Sequence, residues 1–479
     1  MRKIFISILL IFTACTRLVS FPGGTPQASP VASTTFSVDI HPDGPRYVGD
    51  QISFEVFSPT LFETSQKTIS ISFAGKPLAE KSFEQHAIGQ RKQATFPWVW
   101  NTSGLSAGDY TLNFALLPDG IRWEEKVTLR PASELPAAEK NAHWETTETT
   151  CCIIHTISGT DAANDITPLK EMVDAQAADV ESRMGTHLTD KIPITFLPRT
   201  IGHGGFTSDA IYVTYMHKNY AGGTTLQVTH HEMVHWVDGK LGSAGFRPTI
   251  LQEGLAVYLS NGHFKVEPIV PRGAAILELG WYIPLSKLAD SFYFSQHETS
   301  YTEAAALISY MVKTYGWENF NSFYRDIHPA QDGSDAKALD NALQIHFSIS
   351  LDTLEQNYLA FLRNQTGDNT AQTDMRLTVA FYDTVRRYQM KLDPSAYFLN
   401  AWLPDAPSMR QRGIVTDFLR HPDTGINRQI EALLVSGDAN LRSGNYPLTE
   451  VYIRAANLLL DVYERIDSQT WRGKKSPVP

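Results

Sequence analysis

Residues 231–235 read HEMVH, and eighteen positions beyond the second histidine stands Glu253, in ILQEGLAVYLS. On a helix, residues four apart differ by ~400° in rotation and ~6 Å in rise, so His231 and His235 project from one face. Glu232 sits ~100° round from His231, near enough to reach a water on a shared ion without being a ligand itself. With 15 histidines in 479 residues the pattern arises by chance roughly once in forty such chains, so the reading needs a third ligand. Catalytic zinc takes three protein groups and leaves a fourth place for water. One known spacing asks for Gly and His three and six residues past His235, but Asp238 and Leu241 stand there. The other asks for Glu on the following helix. Leu251, Leu255 and Leu259 form a core-facing stripe on that helix, and a carboxylate at Glu253 is costly there unless bound. The chain must therefore fold so that two helices turn His231, His235 and Glu253, the candidate Zn2+ ligands, toward one point.

The elements around the motif alternate. CCIIHTIS reads as a strand, and Thr167-Pro168 opens a helix with Leu169, Met172, Val173, Ala177, Val180 and Met184 on one face, closed by Gly185. KIPITFLP and DAIYVTYM are two more strands, the motif helix follows, and beyond residue 245 nearly everything reads as helix. HHEMVHW followed by LQEGLAVYLS resembles the gluzincin zinc metallopeptidases of clan MA, whose pattern is His-Glu-x-x-His and then Glu-Gly-x-Ala on the next helix. The strand–helix–strand–strand order is similar to the β-lobe of those enzymes, and ALQIHFSISLDTLEQNYLAFL, residues 342–362, to their closing helices.

That resemblance implies a thermolysin-like α+β peptidase domain over residues 149–363, with zinc on His231, His235 and Glu253. It implies Glu232 as general base and a peptide or protein substrate. It also implies a tyrosine that donates to the oxyanion, from a motif Tyr-x-Lys-Gly-Ala opening a late helix. SYTEAAALISYMVKTYG places Tyr301 there, although Glu303 and Ala304 stand where the family carries Lys and Gly. Tyr258 and Tyr212 are the alternatives. HGGFTSDAIYVTY, residues 203–215, is expected to form the edge strand to which a peptide adds. It has Gly204-Gly205 but lacks the Met-Glu-Asn with which gluzincin aminopeptidases hold an amino terminus, and so leans toward endopeptidase action. His203, His217, His230 and His263 lack ligand spacing and read as surface or supporting residues. Asp238, one turn past His235, is placed to orient an imidazole.

The rest of the chain adds modules. MRKIFISILLIFTAC has two basic residues, a short apolar run and small residues before a cysteine, the layout of an export signal. It resembles a bacterial lipoprotein signal with Cys15 as the lipid-bearing residue, except that Phe12 stands where such signals usually carry Leu. Residues 1–15 are thus expected to be a signal, 16–35 a tether, and the protein to sit on the outer face of the cell membrane or to be secreted. From 36 to 130 short runs alternate with period two (Ile52, Phe54, Val56; Ile69, Ile71, Phe73; Phe96, Trp98, Trp100), as in an antiparallel sandwich. WNTSGLSAGDYTLNF resembles the late hairpin of bacterial immunoglobulin-like domains. Residues 131–148 and 364–374 read as linkers. The helical segment 375–479 contains a stretch that resembles a single tetratricopeptide-type helix pair.

Cys151 and Cys152 are expected to be unbonded strand residues facing opposite ways, because a ring between adjacent cysteines is strained. Lys and Arg number 41 against 51 Asp and Glu, and removing Arg2 and Lys3 with the signal takes the net charge from −10 to −12. Without a basic cluster such a surface disfavours nucleic acid as a partner. Two rival readings remain: a cell-surface binding protein with a structural or inactive metal site, and a zinc amidase acting on a non-protein amide.

Overall fold

The computed structural model describes residues 36–473 apart from 60–61, 89–90, 199–203, 216–219, 221–222, 242–245, 264, 366–368 and 397–409. Cys15, the expected signal and tether, His203 and His217 lie outside the described residues. Mixed sheets occupy the N-terminal half and helices the C-terminal half. None of the described helices is long and apolar enough to cross a membrane.

The period-two segments fold into two sheets. One has the order β1 (Ser37–His41), β3 (Gln51–Phe57), β7 (Arg91–Asn101), β6 (Glu84–Ile88). The other has the order β2 (Arg46–Tyr47), β9 (Ile121–Arg130), β8 (Gly108–Leu117), β4 (Thr68–Phe73), β5 (Lys76–Ser82). Alternate residues point inward along each strand, so Ile52, Phe54, Val56, Ile69, Ile71, Phe96, Trp98, Leu112 and Phe114 form one buried cluster between the sheets.

A second five-stranded sheet, in the order β10 (Trp144–Glu148), β11 (Cys152–Ile157), β12 (Ile192–Leu197), β14 (Ile211–Thr214), β13 (Gly205–Thr207), carries the site. The helix Ile166–Met184 is the crossover between the parallel strands β11 and β12, and the short β13 runs antiparallel to β14 at the edge. Two linker expectations change here. Trp144–Glu148 is an edge strand paired antiparallel with β11, hidden in the sequence because an edge strand this short and polar shows almost no apolar alternation. Residues 369–374 already belong to the helix Asn369–Leu392, where Asp374 is buried against Lys265 and Arg272 rather than solvated.

The cysteine expectation is also corrected: Cys151 and Cys152 are disulfide-bonded to each other. Cys151 lies in a bend ahead of the strand, not within it. There the Cys151 amide donates to Asp174 Oδ1 (2.9 Å) and the Cys152 amide to Thr149 Oγ1 (3.0 Å). Only the amide side of Cys151 leaves the ladder, since its carbonyl still accepts from the Ile192 amide (2.9 Å) and Cys152 already pairs with Ile192.

The sandwich is not held by chain connectivity alone. Residues beyond 410 return to it: Ser53 Oγ donates to Asp417 Oδ2 (2.6 Å), and the Arg420 guanidinium binds Asp50 Oδ1 (3.1 Å) and Glu139 Oε2 (2.6 Å).

The site-bearing helices pack on one large core. Thr224 caps the motif helix Thr225–Lys240 by accepting from the Gln227 amide at 3.2 Å. Val228, Met233, Val234 and Val237 bury its inner side. The next helix, Thr249–Leu259, lies against His297–Tyr315 so closely that a Cβ at Gly254 would meet the Ala304 carbonyl oxygen at 2.8 Å. Both partners there are backbone and cannot turn aside. Gly254→Ala is therefore expected to cost about 1–3 kcal/mol or more and to lower the thermal midpoint; an unchanged melting curve would refute the close approach.

Candidate metal centre

The motif and Glu253 helices bring the three expected ligands to one point. His231 Nε2 and His235 Nε2 lie 3.0 Å apart, and each lies 3.2 Å from Glu253 Oε2. A tetrahedral zinc with bonds of about 2.0–2.1 Å spaces its donors about 3.3–3.4 Å apart, so this triangle needs only slight expansion. Two imidazole nitrogens and a carboxylate oxygen are the donor set that zinc takes. All three side chains are at least 86% buried.

The electrostatics fit a cation. Burial acts against the charge on Glu253, yet the two histidines outweigh it and hold the carboxyl well below its ordinary range. For His231, burial is the largest effect and pushes it down to about 4, which leaves it neutral and able to ligate. Burial also works against a proton on His235, but Glu253, Glu232 and Asp238 prevail and raise it to about 9. In effect a proton on His235 stands where a metal would neutralise the same carboxylates, and metal binding would release it.

Glu232 is 6% exposed, and burial pushes its carboxyl up to about 7. Thr207 of the edge strand donates from Oγ1 to Glu232 Oε2 at 2.7 Å. On the same strand Gly205 leaves no room for a side chain, since a Cβ there would lie 2.7 Å from Glu232 Oε1 and 2.5 Å from Val228 Cγ1. The sheet edge thus touches Glu232 directly and fixes its carboxyl. Thr207 does not stand out in the sequence and Gly205 does so only as half of the Gly204-Gly205 pair, because their contact with Glu232 joins elements whose register no motif encodes.

Tyr301 is 8% exposed, with its ring 6.2 Å from that of His231, stacked on His263 at 4.2 Å and edge-on to Phe292 at 5.0 Å. It bonds through its hydroxyl to Tyr293, whose own hydroxyl donates to Glu253 Oε1 at 2.5 Å. Burial, then the Glu253 charge, pushes both phenols well above their ordinary value, so both keep their protons. Tyr293, like Thr207, is a site residue that the sequence does not reveal. It holds the second oxygen of the Glu253 carboxylate, and Tyr293→Phe is expected to weaken zinc binding about 10- to 100-fold in a competition titration against a chromophoric chelator.

The other expected residues sort differently. Tyr212 donates to Asp209 Oδ1 (3.0 Å). Asp238 accepts from the Tyr324 hydroxyl (2.8 Å) and acts on the His235 imidazole through its charge. His230 spans Asp179 Oδ2 (2.8 Å) and Ser260 Oγ (3.1 Å), bracing the motif helix. His263, by contrast, belongs to the site's wall through its stacking on Tyr301.

Among the described residues two further groups have ligand-like spacing, and neither fits as well. His263 and His297 flank Glu298, whose carboxylate already accepts from Arg386 Nη2 at 2.8 Å, so another cation would face a buried guanidinium. Cys151, Cys152 and Asp174 offer no thiolate while the cysteines are bonded.

No protein-family model matches the chain, and no curated protein matches it. Among solved structures, an aminopeptidase N family protein from Idiomarina loihiensis is similar at a TM-score of 0.23 and 8% identity, over 78% of this chain and 76% of that one. That superposition is too loose to argue from, and the site's chemistry stands on its own geometry.

Proposed function

We propose that the chain is a zinc-dependent peptidase of gluzincin type, with His231, His235 and Glu253 holding the metal and Glu232 as general base. The observation that carries this is Glu232 itself. A structural zinc site needs four closed ligands and no buried acid beside them. Here three donors converge, and a fourth group, aimed by Thr207 and seated against Gly205, is kept near neutral pH by burial.

A bound Zn2+ supplies a Lewis acid that polarises a carbonyl and makes water nucleophilic near neutral pH. Glu232 takes the proton of the attacking water and returns it to the departing amine, work suited to a carboxyl of pKa about 7. Tyr301, protonated and beside His231, donates to the developing oxyanion. The edge strand β13 is the rail on which an extended peptide adds as a further strand, and this places its carbonyl over Glu232.

The surrounding modules follow the same reading. An immunoglobulin-like sandwich is the reading that the two sheet orders support, together with Tyr110 near the start of β8, which donates to the Ser106 carbonyl (2.8 Å) as a tyrosine corner does. Cys15 anchors the chain by lipid to the outer face of the membrane, with protein or peptide as substrate. The test is zinc content together with cleavage of a quenched peptide library. Stoichiometric zinc with cleavage supports the peptidase; zinc without cleavage of any peptide moves the assignment to a non-protein amide or to binding.

A further inference from the structure

The last described helix, Tyr446–Gly473, is buried on one side and bare on the other. Ile453, Ala456 and Leu460 join the core built with the helices Asn369–Leu392 and Gly425–Arg442. On the opposite side Leu448, Val451, Leu458 and Val462 are 45%, 57%, 64% and 52% exposed. They are four of the eleven large apolar residues that stand exposed among the described residues. With Ala455 between them the spacing runs three, four, three, four, the repeat of a coiled-coil seam, within an arc of about 80°. A solvated helix has no reason to keep that repeat on its outer face.

We propose that this seam joins two copies of the chain, the final helices packing antiparallel about a twofold axis. The side chains select the direction. Setting Ala455 opposite Leu458 of the second copy also sets Val451 opposite Val462 and Leu448 opposite Arg465. Small then meets large in the central layers, and the Arg465 stem covers Leu448 while its head reaches water. The same register puts Arg454 beside Asp461 of the second copy, and symmetry repeats that pair on the other side. A parallel pairing sets Ala455 against Ala455, which leaves a gap, and turns Arg454 toward Leu459.

Within the chain Arg454 meets Glu450 at 2.8 Å and Asp461 meets Arg387 at 2.6 Å. Arg387 also binds Glu464 and Asn457, so Asp461 stays in that network, but both it and Arg454 are partly exposed and a carboxylate accepts more than one donor, so Asp461 can take Arg454 of the second copy as well. The helix is already folded against its neighbours, and association need only cover a surface. An interface of two heptads gives a dissociation constant of about 1–100 µM. This inference stands whether or not the metal centre is catalytic.

Sedimentation velocity over a concentration series reads the outcome. A reversible dimer is expected, and Leu458→Glu, at a site exposed in the single chain, is expected to weaken it at least about 100-fold with the melting curve unchanged. Oxidising the double variant Val451→Cys, Val462→Cys is expected to give a covalent dimer, while neither single variant does. A monomer at the highest soluble concentration, a dimer indifferent to Leu458→Glu, or efficient cross-linking by Val451→Cys alone would each overturn the proposal.

Discussion

Glu232→Gln is expected to lower kcat for peptide hydrolysis by about 10²- to 10⁴-fold or more while zinc stays at one per chain. The amide matches the carboxylate in shape, so the contact with Gly205 survives, and its oxygen still accepts from Thr207 Oγ1. His231, His235 and Glu253 are untouched, which is why the metal remains. Folding does not suffer either, because Glu232 is 6% exposed and a neutral amide is cheaper to bury than a carboxylate. Lost turnover with retained zinc and an unchanged melting point therefore isolates the proton-transfer role. Wild-type turnover in this variant would sink the mechanism, and loss of zinc would mean that Glu232 supports the ligands instead.

The sequence carried the site further than it carried the fold around it. Helical spacing made the His231–His235 pair legible, and Glu253 was legible as a carboxylate between leucines that core packing would not tolerate unbound. Those signals are local, since they need only the pitch of a helix. Tyr293 and Thr207 were not legible, because each reaches the site from a distant element and its residue type alone is commonplace. Polarity misled at Trp144–Glu148 and at Asp374: an edge strand can stay polar, and ion pairs can bury a charge. The disulfide of Cys151 and Cys152 turned on a bend that alternation of apolar residues does not report. The glycine of the Glu-Gly-x-Ala pattern, Gly254, has a physical cause in the approach of two backbones that sets the Tyr301 helix beside the Glu253 helix.

Zinc is expected to raise the unfolding temperature of the wild-type protein in proportion to the logarithm of its free concentration, and Glu253→Gln is expected to abolish that rise. Anything that binds only the folded state adds RT ln(1 + [L]/Kd), about 2.7 kcal/mol at a hundredfold excess over Kd. For a cooperative unit of about 150–250 residues that shifts the midpoint by about 5–10 °C. The converged donors exist only when the motif helix and the Thr249–Leu259 helix are docked, so the binding energy adds to the stability of that docking. In Glu253→Gln the amide cannot supply the charge, and two histidines alone make a weak site. Absolute stabilities do not discriminate, because removing the buried carboxylate also removes its attraction to His235 and lowers the metal-free midpoint. The zinc dependence does discriminate. Calorimetry of so large a chain is expected to show more than one transition, and any that ignores zinc serves as an internal reference. If no transition of the wild-type protein moves with zinc, the three donors do not form a metal site, and the peptidase proposal falls with it.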